Sequence, residues 1–472
     1  MNKYILLIFC SMSCTLLFSQ NWQALGNFNR AVNSLYGDTS SHLLYVGGSF
    51  KWSDLDTMNG ICSWDGLHLA ELKDGLYDAC GVNVCHAKPL IVGYRNELYV
   101  GSAFKEIDGQ YSNGIAKWDG QDWLPLGGSL QSEDGYAAAW GGCVFDDKLF
   151  VVGSFRFAGG DTCNSVAYWD GIQWTGLAFP PNVLLGEIPL NYRCVFYKNE
   201  LYVGGNFHHN LNGEINHSIA KLEDATWKKV GAGLSGGDSE ILEMIVYKNE
   251  LYVCGSFRSE VGNAGNKIMR WDGVQWRDVG GGLCNSDDIA VDMMVYDGKL
   301  YVVGAFSCVG DGLAANNIAT WDGERWCTVG NSVFNNKISS IEAYNGEIYI
   351  GGGFTEVDNQ PCRYFAKWVG DHSTDTCSAP VSAVQELEQA HPELQLWPNP
   401  AGEILHLQVA GAVEAAQVLD ATGKLVLNFP SNIRSAPGAA VSLPIAAMPA
   451  GLYWVSVQSE GRTLSGRFVK ME

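Results

Sequence analysis

Residues Leu44–Phe50 read LYVGGSF, three strand formers running into two glycines. Glycine weakens a strand interior, so the pairing asks for a reason. The chain repeats it as LYVGSAF from Leu98, LFVVGSF from Leu149, LYVGGNF from Leu201, LYVCGSF from Leu251, LYVVGAF from Leu300 and IYIGGGF from Ile348. The aromatics Tyr45, Tyr99, Phe150, Tyr202, Tyr252, Tyr301 and Tyr349 are spaced by 54, 51, 52, 50, 49 and 48 residues. A period near fifty, built of short apolar runs and turn residues, specifies an array of small sheets.

A second motif runs in phase: SWDGLHL, KWDGQDW, YWDGIQW, KLEDATW, RWDGVQW, TWDGERW and KWVGDHS. Its Asp-Gly step predicts a two-residue type I′ hairpin turn. Each unit then reads as four strands, A to D. In the fifth unit these are MIVY from Met244, ELYVCGSF from Glu250, KIMRW from Lys267 and VQWRDVG from Val274. Four-stranded units at this period, stacked radially, make a β-propeller. The strand-B glycines are expected to clear space for the tryptophans of strands C and D.

Strands B and C occur seven times, but strand D follows strand C only six times, at Leu69, Trp123, Trp174, Trp227, Trp276 and Trp326. The missing copy stands at the other end of the chain, where NWQALG from Asn21 matches DWLPLG from Asp122. The expected fold is all-β: a seven-bladed β-propeller over 21–377, closed by an N-terminal strand carrying Trp22, followed by a small C-terminal β-sandwich.

The repeat, over residues 21–371, resembles the kelch and galactose-oxidase type of propeller, with Trp where kelch repeats usually carry Tyr before the turn. The Gly-His element of WD repeats is missing, and the Asp-box of sialidase-like propellers has a residue between Asp and Gly. Nothing identifies the crosslinked tyrosine and histidine ligands of a copper oxidase, and no cofactor is expected.

After Cys377 the composition changes. Residues 378–392 read as a linker, and 393–472 alternate apolar and polar residues between turn signals, as a sandwich does. WPNPA from Trp397, VLDATGKLV from Val418, PAGLYWVSV from Pro449 and GRFVK from Gly466 resemble the C-terminal sorting domain of proteins exported by the type IX secretion system of Bacteroidetes. The resemblance implies engagement of that machinery, passage through the outer membrane, and release or surface attachment. Residues 1–20 carry Lys3, an apolar run and small residues near the end, the pattern of a signal peptide cleaved around Ser19 or Gln20. No further segment is long and apolar enough to span a membrane as a helix.

Thirty Lys and Arg against 51 Asp and Glu give a net charge of −21, which argues against nucleic acid and anionic membranes as partners. A monomer is expected. Of 14 cysteines, Cys10 and Cys14 lie in the leader; the other twelve, in an oxidising compartment, predict at least two disulfides. Cys80 with Cys85 is a local candidate pair, and Cys254 either pairs or stays a buried thiol.

Chemistry should show as departure from the repeat. Asp65, Asp119, Asp170, Asp272 and Asp322 recur and read as turn formers. FHHNLNGEINHS departs, placing His208, His209 and His217 in one loop as a candidate metal set, with a solvated loop as the plain alternative. The long D–A connections carry Tyr77, Tyr136, Trp140, Phe179 and Tyr192 beside Asp78, Glu133 and Asp134, a pattern suited to stacking on sugar rings or simply to packing the loops. No phosphate loop, nucleophile elbow or motif-grade acid/base pair is present. The sequence therefore favours a glycan- or protein-binding module over an enzyme, the alternative being a secreted polysaccharide hydrolase or lyase.

Overall fold

The computed structural model describes residues 21–54, 56–76, 88–133, 135, 137–180, 190–211, 214–235, 239–372, 375–378, 394–399, 401–420, 425–429, 435–459 and 462–471. These form two compact units divided between Pro380 and Val381. The chain is all-β; among the described residues helix is confined to one 3-10 turn, Ser259–Val261.

The first unit holds seven four-stranded antiparallel sheets. In each, a copy of the LYVGGSF motif forms strand B. The strands A of sheets one to seven are Val32–Asp38, Leu90–Tyr94, Ala138–Phe145, Leu190–Tyr197, Ile241–Tyr247, Ile289–Tyr296 and Ile338–Tyr344. Six sheets run A-B-C-D in chain order. The seventh takes its fourth strand from Trp22–Ala24, which pairs antiparallel with Phe365–Trp368 and sets Trp22 opposite Trp368.

Turn chemistry differs from the sequence expectation. Trp64 pairs with Leu69 and Trp118 with Trp123, so the Asp-Gly steps sit in four-residue loops, not two-residue turns. The Asp carboxylate explains this, since Asp119 Oδ1 accepts the backbone N–H groups of Gln121 and Asp122, an Asx arrangement. Backbone N–H donors two and three residues on hold the carboxyls of Asp65, Asp119 and Asp170 below their usual range. Two-residue turns with positive φ at both positions join strands A and B instead, as at Arg95–Asn96 (51°, 61°) and Lys248–Asn249 (47°, 62°). The copy that lacks Asp-Gly, Asp224–Ala225, has such a turn between C and D (50°, 57°).

The strand-B glycines do not receive tryptophans. A Cβ on Gly47 would stand 2.8 Å from Ile91 of sheet two, and one on Gly101 2.6 Å from Ala139 of sheet three. The next glycine along faces its own strand A: a Cβ on Gly153, Gly255 or Gly304 would overlap the carbonyl oxygen of Ala138, Glu240 or Ile289. These glycines admit strand A, both the next sheet's and their own. The tryptophans dock on glycines after strand D, Trp271 against Gly231 and Trp321 against Gly280, both at positive φ.

Strand A of each sheet lies against strand A of the next, and that of sheet seven against sheet one, so the seven inner strands close a ring. Two belts of hydrogen bonds tie neighbouring sheets. Tyrosines ending strand A donate to the next sheet's A–B turn: Tyr94 to Asp147 O, Tyr197 to Asn249 O, Tyr247 to Gly298 O, Tyr296 to Gly346 O and, from seven to one, Tyr344 to His42 O. Sheet three ends in Phe145, which stacks on Phe196 of sheet four with ring centroids 3.9 Å apart. Strand-D tryptophans donate backwards, Trp123 to Leu72 O, Trp227 to Leu177 O, Trp276 to Val230 O and Trp326 to Val279 O. Disulfides join Cys284 to Cys308 and Cys327 to Cys377, and Cys254 is a buried free thiol. Cys80 and Cys85 lie outside the described residues.

The second unit has a three-stranded sheet (Leu394–Trp397, Ile404–Val409, Val441–Pro444) and a four-stranded one (Leu425–Phe429, Val413–Asp420, Gly451–Ser459, Arg462–Lys470). One core joins them: Leu405, Leu407 and Leu443 from the first meet Val418, Val455, Val457 and Phe468 from the second. Alternation along each strand sends these side chains inward.

Candidate functional site at the ring axis

Six of the seven strands A carry a β-bulge at the same place, between Val32/Ser34, Ala139/Gly141, Asn191/Arg193, Ile241/Glu243, Ala290/Asp292 and Ile338/Ser340. A bulge re-aims the residues beside it. The residue after each bulge, with Leu90 at the equivalent place in sheet two, lines a cavity of about 460 Å³ among the inner strands. Four of these seven residues are small or apolar. The others, on consecutive sheets, are Arg193, Glu243 and Asp292.

They form one ionic network with Lys88. Arg193 Nε donates to Glu243 Oε2 at 2.7 Å, and Lys88 Nζ lies 3.2 Å from the same oxygen and 2.7 Å from Asp292 Oδ1. Arg193 Nη1 also donates to the carbonyls of Trp140 and Tyr192. Asp292 Oδ2 accepts the N–H of Ile341, and Ser340 Oγ that of Leu35. These contacts link sheets three-four, four-five, two-five, two-six, six-seven and seven-one, so all seven sheets are joined at the axis.

The environment separates the carboxyls. Burial would raise Glu243, but the Arg193 and Lys88 charges outweigh it and hold the group well below the carboxylate range. Burial, against the Lys88 charge and with that of Glu243, leaves Asp292 raised. Glu342, two residues beyond Ser340, accepts the Ala343 N–H; desolvation chiefly, with the Asp292 charge, pushes it up to about 7.

The residues singled out from the sequence are placed as follows. Trp140 and Tyr192 are the extra residues of two bulges, in inner strands and not in loops; Trp140 lines the cavity. Phe179 is fully buried against Phe207 and Trp227, so packing, not recognition, is its role here. Glu133 pairs with Arg156 at 2.8 Å. Tyr77, Asp78, Asp134 and Tyr136 lie outside the described residues. His208 and His217 face each other across strands B and C of sheet four, their Nδ1 atoms in contact, and burial lowers His217. His209 pairs one step along with Asn216, and its side chain is outside the described residues. Among the described residues no group of three His, Cys, Asp or Glu side chains is disposed to hold a metal. Trp22 is fully buried, edge-on to Trp368 and Phe334.

Lys88, Arg193, Glu243, Asp292 and Glu342 escaped the sequence reading. A signal for three of them was there: each lies four residues before the tyrosine that ends strand A, where other repeats have Ser, Gly or Leu.

Residues 395–471 match the family model described as the secretion system C-terminal sorting domain. The chain therefore carries the signal for type IX secretion to the cell surface or the extracellular space, and for interaction with that machinery. No curated protein matches the chain. Among solved structures it is similar to PorZ, described as an essential surface component of the type-IX secretion system of Porphyromonas gingivalis, at 11% identity and a TM-score of 0.37. That match covers 93% of this chain and 65% of PorZ, so the chain spans less than two thirds of its length. It is also similar to U3-55K (11% identity, TM-score 0.44, covering 74% of this chain and 98% of that one) and to the RRP9 WD40 repeats (10%, 0.43, 74% and 97%). No helix among the described residues is long and apolar enough to cross a membrane.

Proposed function

We propose that the chain is an exported seven-bladed β-propeller that binds an extracellular glycan or protein, carried to its destination by a C-terminal sorting sandwich. Residues 1–20 act as a cleaved leader, 21–377 as the propeller and 378–392 as a linker to the sorting domain at 393–472. The closed ring of inner strands supports the propeller, with the Trp22 strand completing its last blade.

One observation carries the binding reading: a bulge sets Trp140 on the lining of a charged cavity, at the end of strand A where the D–A connections enter. An aromatic beside fixed charges suits a sugar ring with its hydroxyls, or a peptide. Tyr136 and Trp140 are the residues to test. The mature protein should bind members of a glycan array or of a panel of extracellular proteins. Tyr136→Ala and Trp140→Ala should weaken that binding tenfold or more while Tm stays nearly unchanged. If both bind the same hits as wild type does, the site lies elsewhere.

A second reading, a polysaccharide hydrolase or lyase, draws on the separated ionisation of Glu243 and Glu342 around one cavity, which is how acid and base roles are divided. Against it, Glu243 and Asp292 already hold internal cations. Reducing-end release abolished by Glu342→Gln would favour the enzyme over the binding module.

A further inference from the structure

The inner strands of sheets three and four approach one another closely. Gly141 makes this possible, because a Cβ there would overlap the carbonyl oxygen of Tyr192. Arg193 then ties the two strands by donating to Trp140 O. Just beyond this point the thiols of Cys143 and Cys194 meet, Sγ to Sγ 2.9 Å apart. That is well inside the contact distance of two unbonded sulfurs. Both side chains pack with Phe150, Val152 and Phe196 between the sheets. The other described free cysteines, Cys62, Cys163, Cys254 and Cys362, are all buried, and none of them shows a sulfur–sulfur contact.

The compartment supplies the second condition. The sorting domain takes the chain out of the cytosol, and two disulfides are already present, at Cys284–Cys308 and Cys327–Cys377. Thiols held in contact along such a route meet disulfide-bearing oxidants before burial completes.

We propose that Cys143 and Cys194 form a disulfide in the exported protein, a covalent staple between the inner strands of sheets three and four beside the cavity. The oxidant is a protein disulfide of the thiol–disulfide exchange class. The Cys143 thiolate, the more exposed of the two, attacks one sulfur of that disulfide and expels the other as a thiolate. The Cys194 thiolate then attacks Cys143 Sγ, forming the Sγ–Sγ bond and expelling the second thiolate. The two protons lost by the cysteines end on the oxidant's two thiols, so two thiols and one disulfide become one disulfide and two thiols. Burial pushes the Cys194 thiol well above its usual range, so the exchange belongs to the stage before the two sheets close. Once formed, the bond fixes the backbone of Arg193, next in sequence to Cys194, and with it the anchor of the ionic network.

The test is peptide mapping of the full-length exported chain, denatured in iodoacetamide without reductant. The expected result is a linked peptide pair containing Cys143 and Cys194 that disappears after dithiothreitol. Cys143→Ser and Cys194→Ser should each add one alkylated cysteine to the wild-type count. Alkylation of both residues in the unreduced wild type overturns the proposal, and so does Cys194 linked to any other cysteine. The wild-type map decides the matter even where a serine variant fails to fold.

Discussion

At the scale of single residues, Glu243 is the side chain on which most depends. It takes two cations in one oxygen, Arg193 from its own side of the ring and Lys88 from across the axis. Replacing it by Gln leaves Arg193 desolvated without a counter-charge, while Lys88 keeps Asp292 at 2.7 Å; breaking a buried pair in this way typically costs about 3–5 kcal/mol. The pH dependence follows from the sign of the shift. Glu243 is depressed in the folded state, so its contribution is complete above the unfolded carboxyl pKa of about 4.3 and is lost as pH falls toward the folded value. Glu342 is raised to about 7, so folding favours its protonated form and stability is lost as pH climbs from about 4.3 through 7. Chemical denaturation from pH 3 to 9 should therefore show Glu243→Gln closing on wild type at the acid end. Glu342→Gln should surpass wild type above about pH 7 by roughly 1–3 kcal/mol, allowing for solvent screening. Parallel profiles for both variants and wild type would mean that the axial charges titrate without linkage to folding.

At the scale of elements, the bulged strand A and the glycine-ended strand B are one device. The bulge pushes a carbonyl toward strand B, and only glycine at the facing position leaves room for it. This answers why the strands B that face a bulged strand A end in small residues, and it is an answer the linear motif withheld; sheet two has no bulge and carries Ser102 at the matching place. The sequence shows that side chains are missing but not which neighbour fills the space. The Asp-Gly motif misled for a related reason. A dipeptide is compatible with several turns, and here the Asp carboxylate captured two N–H groups and opened the loop to four residues. The strand Trp22–Ala24 is the element whose loss tests the ring. It has three paired residues, and a fully buried Trp whose removal typically costs about 3–5 kcal/mol. Trp22→Ala should lower the denaturation midpoint far more than its place near the chain start suggests. A midpoint within a degree of wild type would show that the last sheet stands without it.

At the scale of the whole molecule, the two units divide the work. The second unit carries the address, so a chain ending before residue 395 should be retained in the cell while its first unit still folds. Fractionation and immunodetection of the truncated and full chains would check this; equal amounts outside the cell would show that another signal suffices. The first unit carries the cavity, and here legibility was uneven. A repeat is visible in sequence because the sheets solve the same packing problem with nearly the same residues: an apolar strand B, an aromatic before the C–D loop (Leu222 in sheet four) and a tryptophan after it (Leu69 in sheet one). Seven copies of strand B and a displaced strand D could therefore be counted along the chain. The all-β class and the export signal were legible for the same reason, being written in local alternation and contiguous motifs. The axial network was not. Lys88, Arg193, Glu243, Asp292 and Glu342 come from five different sheets; the departure from the repeat at Arg193, Glu243 and Asp292 marks three positions but does not tell a charge facing solvent from one facing the axis. Only closing the ring sets Lys88, Arg193, Glu243 and Asp292 within hydrogen-bonding distance, and bulges turn the last three inward. The meeting of Cys143 and Cys194 was likewise decided by tertiary structure, because a pairing across 51 residues depends on how closely two strands approach, and that distance is set by Gly141.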